Sequence, residues 1–204
     1  MKTIVITGPS GSGKSYLSNK LSKTFCNSIV IKTDSFYRDN ILIRFLSKFL
    51  YDIYDRPLSI KKKELNKTIR GIYNKDSLVT IYKYDFRKKH SSQSEISINY
   101  KDDKQLLILE GIFAHRLDLN YEDAINIICE EEKEICFNRR VKRDQLERNR
   151  NRREVNMKFN KSWYLYYLNV KTYLKNNNVL IINPREKKSY NKLVLNIKNE
   201  EINN

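Results

Sequence analysis

Glycine is scarce in this chain, with five in 204 residues: Gly8, Gly11, Gly13, Gly71 and Gly111. Three of them fall within six residues, and such clustering needs a backbone reason. Glycine reaches positive φ and lets a ligand approach the main chain. Cysteine is equally sparse. Cys26, Cys129 and Cys136 are odd in number and lack the close pairing of a zinc or redox motif, so they read as reduced residues in or near the core. There are three prolines, no Pro/Gly/Ser-rich linker, no internal repeat and no sign of a second core. One domain over residues 1–204 is therefore expected. No apolar run approaches the length that spans a bilayer, and the N-terminus enters strand-like sequence without an apolar leader. The expectation is a soluble, cytoplasmic protein with no membrane partner.

Charge of one sign is abundant instead. The formal charge is +16, which favours polyanions or phosphorylated ligands and says nothing about fold. Part of it is local: residues 139–153, RRVKRDQLERNRNRR, hold eight basic and two acidic side chains. The rest is spread along a chain rich in lysine and asparagine, a compositional habit rather than a binding face.

Short runs rich in Ile, Val and Leu recur at residues 2–7, 28–33, 105–109, 125–129 and 178–182. They are apolar on both faces, as buried parallel strands are. Helical spacing lies between them, in Leu17, Leu21 and Phe25, then over 41–53, then over 158–175 with Trp163, Tyr166, Tyr167, Val170 and Leu174 near one face. Leu193, Val194 and Ile197 suggest a last helix. Strands alternating with helices imply an α/β domain on a five-stranded parallel sheet. Residues 78–100 break the rhythm. LVTIY and EISINY alternate, separated by the charged stretch KYDFRKKHSSQS, and read as a small antiparallel excursion.

Residues 8–15, GPSGSGKS, match G-x-x-x-x-G-K-[ST] between a strand and a helical pattern. Backbone N–H groups from Gly8, Pro9's successor Ser10, Gly11, Ser12 and Gly13 can wrap a phosphate at the helix start. Lys14 would reach the β- and γ-phosphates, Ser15 would ligate Mg²⁺, and Tyr16 follows. The chain lacks an LSGGQ-type signature and an NKxD-type guanine reader, which leaves kinases among the phosphate-loop classes. Asp34, in TDSFY, follows the second strand. It reads either as a helix N-cap or as a carboxylate in the ligand crevice that accepts a hydroxyl proton or holds a Mg²⁺ water. Glu110 ends a run so apolar that it must lie at the crevice or be costly to bury. Arg140 and Arg143 share a helical face, whereas Arg148 and Arg150 flank Asn149. The basic stretch alone reads as a solvated or RNA-binding helix. Next to a phosphate loop it reads as a lid over about 139–156.

GPSGSGKS, TDSFY, YDRP, YKYDF with a nearby histidine, LILEGIF and RRVKRDQLERNR occur in that order. The pattern resembles the uridine kinases, in the P-loop kinase group that also holds phosphoribulokinases. The resemblance spans residues 2 to about 185. It implies ATP and Mg²⁺ as cofactors, with Ser15 and Glu110 at the metal. Asp34 would be the acid taking the 5′-hydroxyl proton, and Tyr37 would lie beside the sugar. Tyr54 and Asp55 would form an aromatic–Asp pair on the ribose. Tyr84, Phe86 and His90 would seat and read the base, and Arg140, Arg143, Arg148 and Arg150 would close over the phosphates. The acceptor region is expected over about 35–100.

Four departures stand out. His90 lies four residues after Phe86 rather than three, Asn149 replaces a glycine, Lys158 replaces a glutamine, and a PTKK-like segment before the last strand is missing. The expected activity is transfer of the γ-phosphoryl group of ATP to uridine or cytidine. A related kinase acting on nicotinamide riboside or a pentulose phosphate is the neighbouring reading, for which Arg87, Lys88 and Lys89 offer extra cations. A non-catalytic nucleotide or RNA binder is the alternative from another class. No specific nucleic acid is expected, and a homo-oligomer is compatible with the aromatic run at Trp163–Tyr167. His115 reads as a surface or packing residue.

Overall fold

A computed structural model of the chain describes all residues except 27, 41, 44, 46–55, 102–104, 117–123, 177 and 203–204. Five strands, β1 (Lys2–Thr7), β2 (Ile29–Lys32), β5 (Leu106–Glu110), β6 (Ile125–Cys129) and β7 (Val179–Ile182), form one sheet in the order β2-β5-β1-β6-β7. Every pairing in it is parallel. The apolar runs behave as buried strands because helices cover both faces.

Alternation along β1 assigns the faces. Ile4 and Ile6 pack with Leu17 and Leu21 of α1 (Lys14–Thr24) and with Leu193 and Ile197 of α5 (Lys187–Ile202). Val5, Leu107 and Leu109 pack on the opposite side with Leu65, Ile69 and Ile72 of α2 (Lys62–Tyr73). Each such aliphatic side chain, fully buried, contributes roughly 1.5–3 kcal/mol. The remaining helices are α3 (Lys133–Arg148) and α4 (Arg152–Asn176), the latter packing Tyr166 and Val170 on Ile128. Buried Cys129 and Cys136 fit the expectation of core thiols, whereas Cys26 is exposed. No helix among the described residues is long and apolar enough to cross a membrane.

Helix α2 is not announced by the chain's composition. Its apolar positions 65, 69 and 72 keep helical spacing, but lysines and polar residues dilute the pattern. The helix expected over 41–53 falls largely outside the described residues. The antiparallel excursion expected over 78–100 is present, with its first strand extending past LVTIY and its second starting before EISINY and ending at Ser97. Strands β3 (Leu78–Asp85) and β4 (His90–Ser97) pair from Leu78↔Ser97 to Asp85↔His90. The charged stretch therefore belongs to the ladder instead of separating two strands, because β4 turns mostly exposed side chains to solvent and needs no apolar sequence to pair.

Register brings the carboxyl ends of the strands level. Ile6 of β1 and Lys32 of β2 both face Glu110. The loop after β1, the turn after β2 and the last residue of β5 thus share one edge, where open α/β sheets bind ligands.

Candidate active site

The segment Gly8–Ser15 leaves β1 and enters α1. Gly11 has φ 92°, and a β-carbon there would run into the backbone carbonyl of Cys136 at the start of α3, so no side chain is tolerated. Arg139 braces the same residue, donating to the Gly11 carbonyl at 3.1 Å and to Glu131 at 2.9 Å. The buried Lys14 ammonium donates to the Pro9 carbonyl at 3.1 Å across the loop. Ser10 accepts from Arg143 at 3.2 Å, while the Ser12 hydroxyl is buried with no hydrogen-bond partner among the described residues. Gly13 takes the left-handed conformation as the N-cap of α1. Tyr16 is about half exposed, with Lys20 and Arg185 each 5.9 Å from its ring.

Ser15 donates to Glu110 Oε1 at 3.0 Å. Glu110 is buried, and its Oε2 has no partner among the described residues. A buried carboxylate oxygen left over beside a hydroxyl fits a hard cation. Mg²⁺ takes one or two carboxylates and completes its shell with phosphate oxygens and water, and Ser15 and Glu110 are the residues that would hold it.

Asp34 lies in the short 3₁₀ turn Thr33–Ser35. Both its oxygens accept from the Ile112 N–H, at 3.1 and 3.3 Å. This overturns the N-cap reading, since the carboxylate reaches across to the turn after β5. Gly111 permits the approach: a β-carbon there would strike the hydroxyl of Thr33 and the carboxylate of Asp34.

His115, read from sequence as surface or packing, is half-buried in the short turn Ala114–Arg116 that follows β5, with its Nε2 shielded from solvent. Thr7 donates to the Ile112 carbonyl at 2.9 Å and meets His115 Nδ1 at 2.9 Å, so Nδ1 carries the proton in the tautomer this network selects. Burial, aided by the charge of Arg116, pulls the imidazole down from 6.5 to about 4. The unfolded chain therefore binds a proton between those pH values when the folded one does not. The stabilisation is complete above pH 6.5 and is lost as pH falls towards 4, by up to about 3 kcal/mol. Urea midpoints measured between pH 4 and 7 should fall on the acid side in the parent, and fall much less in His115→Gln.

The basic stretch is organised by an acid that no motif singles out. Asp144 is fully buried and meets Arg143 at 2.8 Å, Arg150 at 3.0 Å, Arg148 at 3.6 Å and Arg140 at 3.8 Å. Burial alone would raise its carboxyl; the guanidinium groups of Arg143 and Arg148 outweigh that and hold it below its usual value. Arg148 is pulled down to about 10, first by burial and then by Arg143, and stays charged at neutral pH. Asn149, where a glycine was expected, adopts φ 51° as the C-cap of α3, a conformation asparagine tolerates.

Facing the arginines is an aromatic set. Tyr37 lies edge-on to Tyr84 and Phe86, with centroids 5.5 Å apart in both pairs, and Tyr84 and Phe86 are 4.9 Å apart. The Arg148 guanidinium sits 3.6 Å over the Phe86 ring. A cleft of about 330 Å³ collects Ser10, Ser15, Asp34 and Glu110 with Tyr37, Tyr84 and Phe86 and all four arginines. Lys32, Lys83, Lys89 and Lys158 also line it. His90 does not. It pairs with Asp39 at 3.2 Å with its side chain 68% exposed, because the four-residue turn leaves Lys89, at φ 49°, facing inward. Tyr54 and Asp55 lie outside the described residues.

Comparison with known proteins identifies the family and the fold. The model of the Phosphoribulokinase / Uridine kinase family matches residues 3–188. The chain is 30% identical over 160 residues to a uridine kinase of Haemophilus influenzae, covering 74% of this chain and 72% of that one. It is 31% identical over 156 residues to a uridine kinase of Ureaplasma parvum, covering 72% and 70%. A solved structure described as a possible uridine kinase from Bacillus stearothermophilus shares the fold, with a TM-score of 0.59 over 89% of this chain and 88% of that one, at 18% identity. With a phosphate loop, an acidic crevice and an arginine cluster on one sheet edge, and a family match over nearly its whole length, the chain belongs to the phosphoribulokinase / uridine kinase family of phosphotransferases.

Proposed function

We propose that this protein transfers the γ-phosphoryl group of ATP to the 5′-hydroxyl of a pyrimidine nucleoside, uridine or cytidine. The observation carrying this reading is the position of Asp34. It stands at the strand edge beside the Ser15–Glu110 pair, in a cleft walled by an aromatic set on one side and guanidinium groups on the other. The names of the two curated relatives support the choice of nucleoside.

In this mechanism Lys14 exchanges the Pro9 carbonyl for β- and γ-phosphate oxygens. Ser15 and Glu110 would hold Mg²⁺, which would supply neutralisation of phosphate charge. Asp34 orients the acceptor hydroxyl and takes its proton as the phosphoryl group moves. Arg140 and Arg143 balance the charge spread over the transferring group, and positioning with electrostatics supplies most of the acceleration. Tyr37, Tyr84 and Phe86 hold the nucleoside by stacking and edge contacts.

A second reading rests on Lys32, Lys83 and Lys89 in the same cleft. These cations favour an acceptor with an anionic substituent, such as a pentulose phosphate. ADP release from Mg-ATP with uridine, cytidine, nicotinamide riboside and ribulose 5-phosphate separates the two. Turnover with the pyrimidine nucleosides supports the first reading. Turnover only with the sugar phosphate replaces it with the second, and ATP binding without turnover on any of them overturns both.

A further inference from the structure

The β3–β4 hairpin carries two of the three cleft aromatics, yet two strands with one exposed partner make a weak unit on their own. What fixes its turn against the arginine cluster is a pair of reciprocal contacts. Arg87, in the turn, sends its fork to the C-terminus of α3, with Nε donating to the Glu147 carbonyl at 2.6 Å and Nη2 to the Leu146 carbonyl at 2.7 Å. The last carbonyls of a helix have no intrahelical partner and attract cations, so Arg87 caps α3 from another element. In return Arg148, the last residue of α3, covers the Phe86 ring at 3.6 Å and lies 3.6 Å from the Asp144 carboxylate that Arg143 and Arg150 share. Asp85 tightens the turn by accepting from the N–H groups of Arg87 and Lys88 at 2.8 and 3.0 Å.

We propose that Arg87 is a positioning residue that latches the acceptor hairpin to the arginine cluster, so that nucleotide and acceptor each raise the other's affinity. The proposal rests on the kinase reading of the cleft. Its physical basis is that the arginine cluster and the ring seating the acceptor meet at the last turn of α3, where Arg148 covers Phe86. While the latch holds, a shift at one end is passed to the other. Coupling between sites is reciprocal, and 5- to 150-fold is its usual size.

Calorimetric binding of Mg·AMP-PNP, with and without saturating uridine, tests this in the parent, Arg87→Ala and Arg87→Lys. The expected result is that uridine tightens AMP-PNP binding about tenfold in the parent. Arg87→Ala should abolish that gain without altering AMP-PNP affinity in the absence of uridine. Lysine keeps the charge but not the two-pronged geometry, so Arg87→Lys should recover little of it. Coupling retained in Arg87→Ala, or full coupling in Arg87→Lys, overturns the latch. If uridine fails to bind, the pyrimidine reading falls separately, and amide exchange decides the latch. AMP-PNP should then slow exchange at residues 86–90 in the parent and not in Arg87→Ala, and equal protection in both overturns it.

Discussion

Asp34→Asn should lower kcat by about 10²–10⁴-fold, the usual range for loss of a general base, while calorimetry finds Mg-ATP binding nearly unchanged. Asparagine is isosteric, and its carbonyl oxygen can still accept from the Ile112 N–H that holds Asp34 at 3.1 Å. The turn therefore keeps its shape, and only charge and proton affinity are removed. A small effect on kcat would mean that the carboxylate serves to fasten the turn after β5. Gly111→Ala would be a poor substitute as a test, because its β-carbon would displace both Thr33 and Asp34.

The second large effect is on stability. Asp144→Ala leaves Arg143, Arg148, Arg150 and Arg140 around a buried site without their shared carboxylate. Breaking a buried pair from one side costs about 3–5 kcal/mol, which for a chain of this size lowers Tm by roughly 10 °C. Scanning calorimetry reads it. Because folding depresses the Asp144 carboxyl, its contribution is complete above the unfolded value of 3.8 and is lost only as pH falls below it. That window lies below the one in which His115 acts, so the two acid-side losses are separable. Isothermal binding should also show weaker ATP affinity in Asp144→Ala, since the guanidinium groups lose the anion that aligns them.

The parts of the site that could be read from the sequence are those in which local pattern and chemistry coincide. The loop 8–15 needs contiguous residues and scarce glycines. Glu110 stands out against the apolar strand it ends, and the parallel sheet follows from apolar runs at helical intervals. What stayed hidden depends on partners far along the chain. Asp144 looks like one of two acids among eight bases until the fold wraps arginines around it. His115 acquires its role only when Thr7, 108 residues away, comes to 2.9 Å. Arg87 looks like one of three similar cations, and only the packing of its turn on α3 sets it apart. The inward place of Lys89, and the outward one of His90, are decided by a hairpin register that sequence alternation could not settle across so charged a segment.

The most direct measurement compares uridine with 5′-deoxyuridine as acceptor for Mg-ATP, with products identified by chromatography and mass spectrometry. The proposed chemistry requires uridine 5′-monophosphate and ADP in equal amounts from uridine, nothing from 5′-deoxyuridine, and loss of both products in Lys14→Ala. A phosphorylated product from 5′-deoxyuridine would contradict the 5′-hydroxyl assignment, and ADP formed at the same rate with either compound or with none would contradict transfer to a nucleoside.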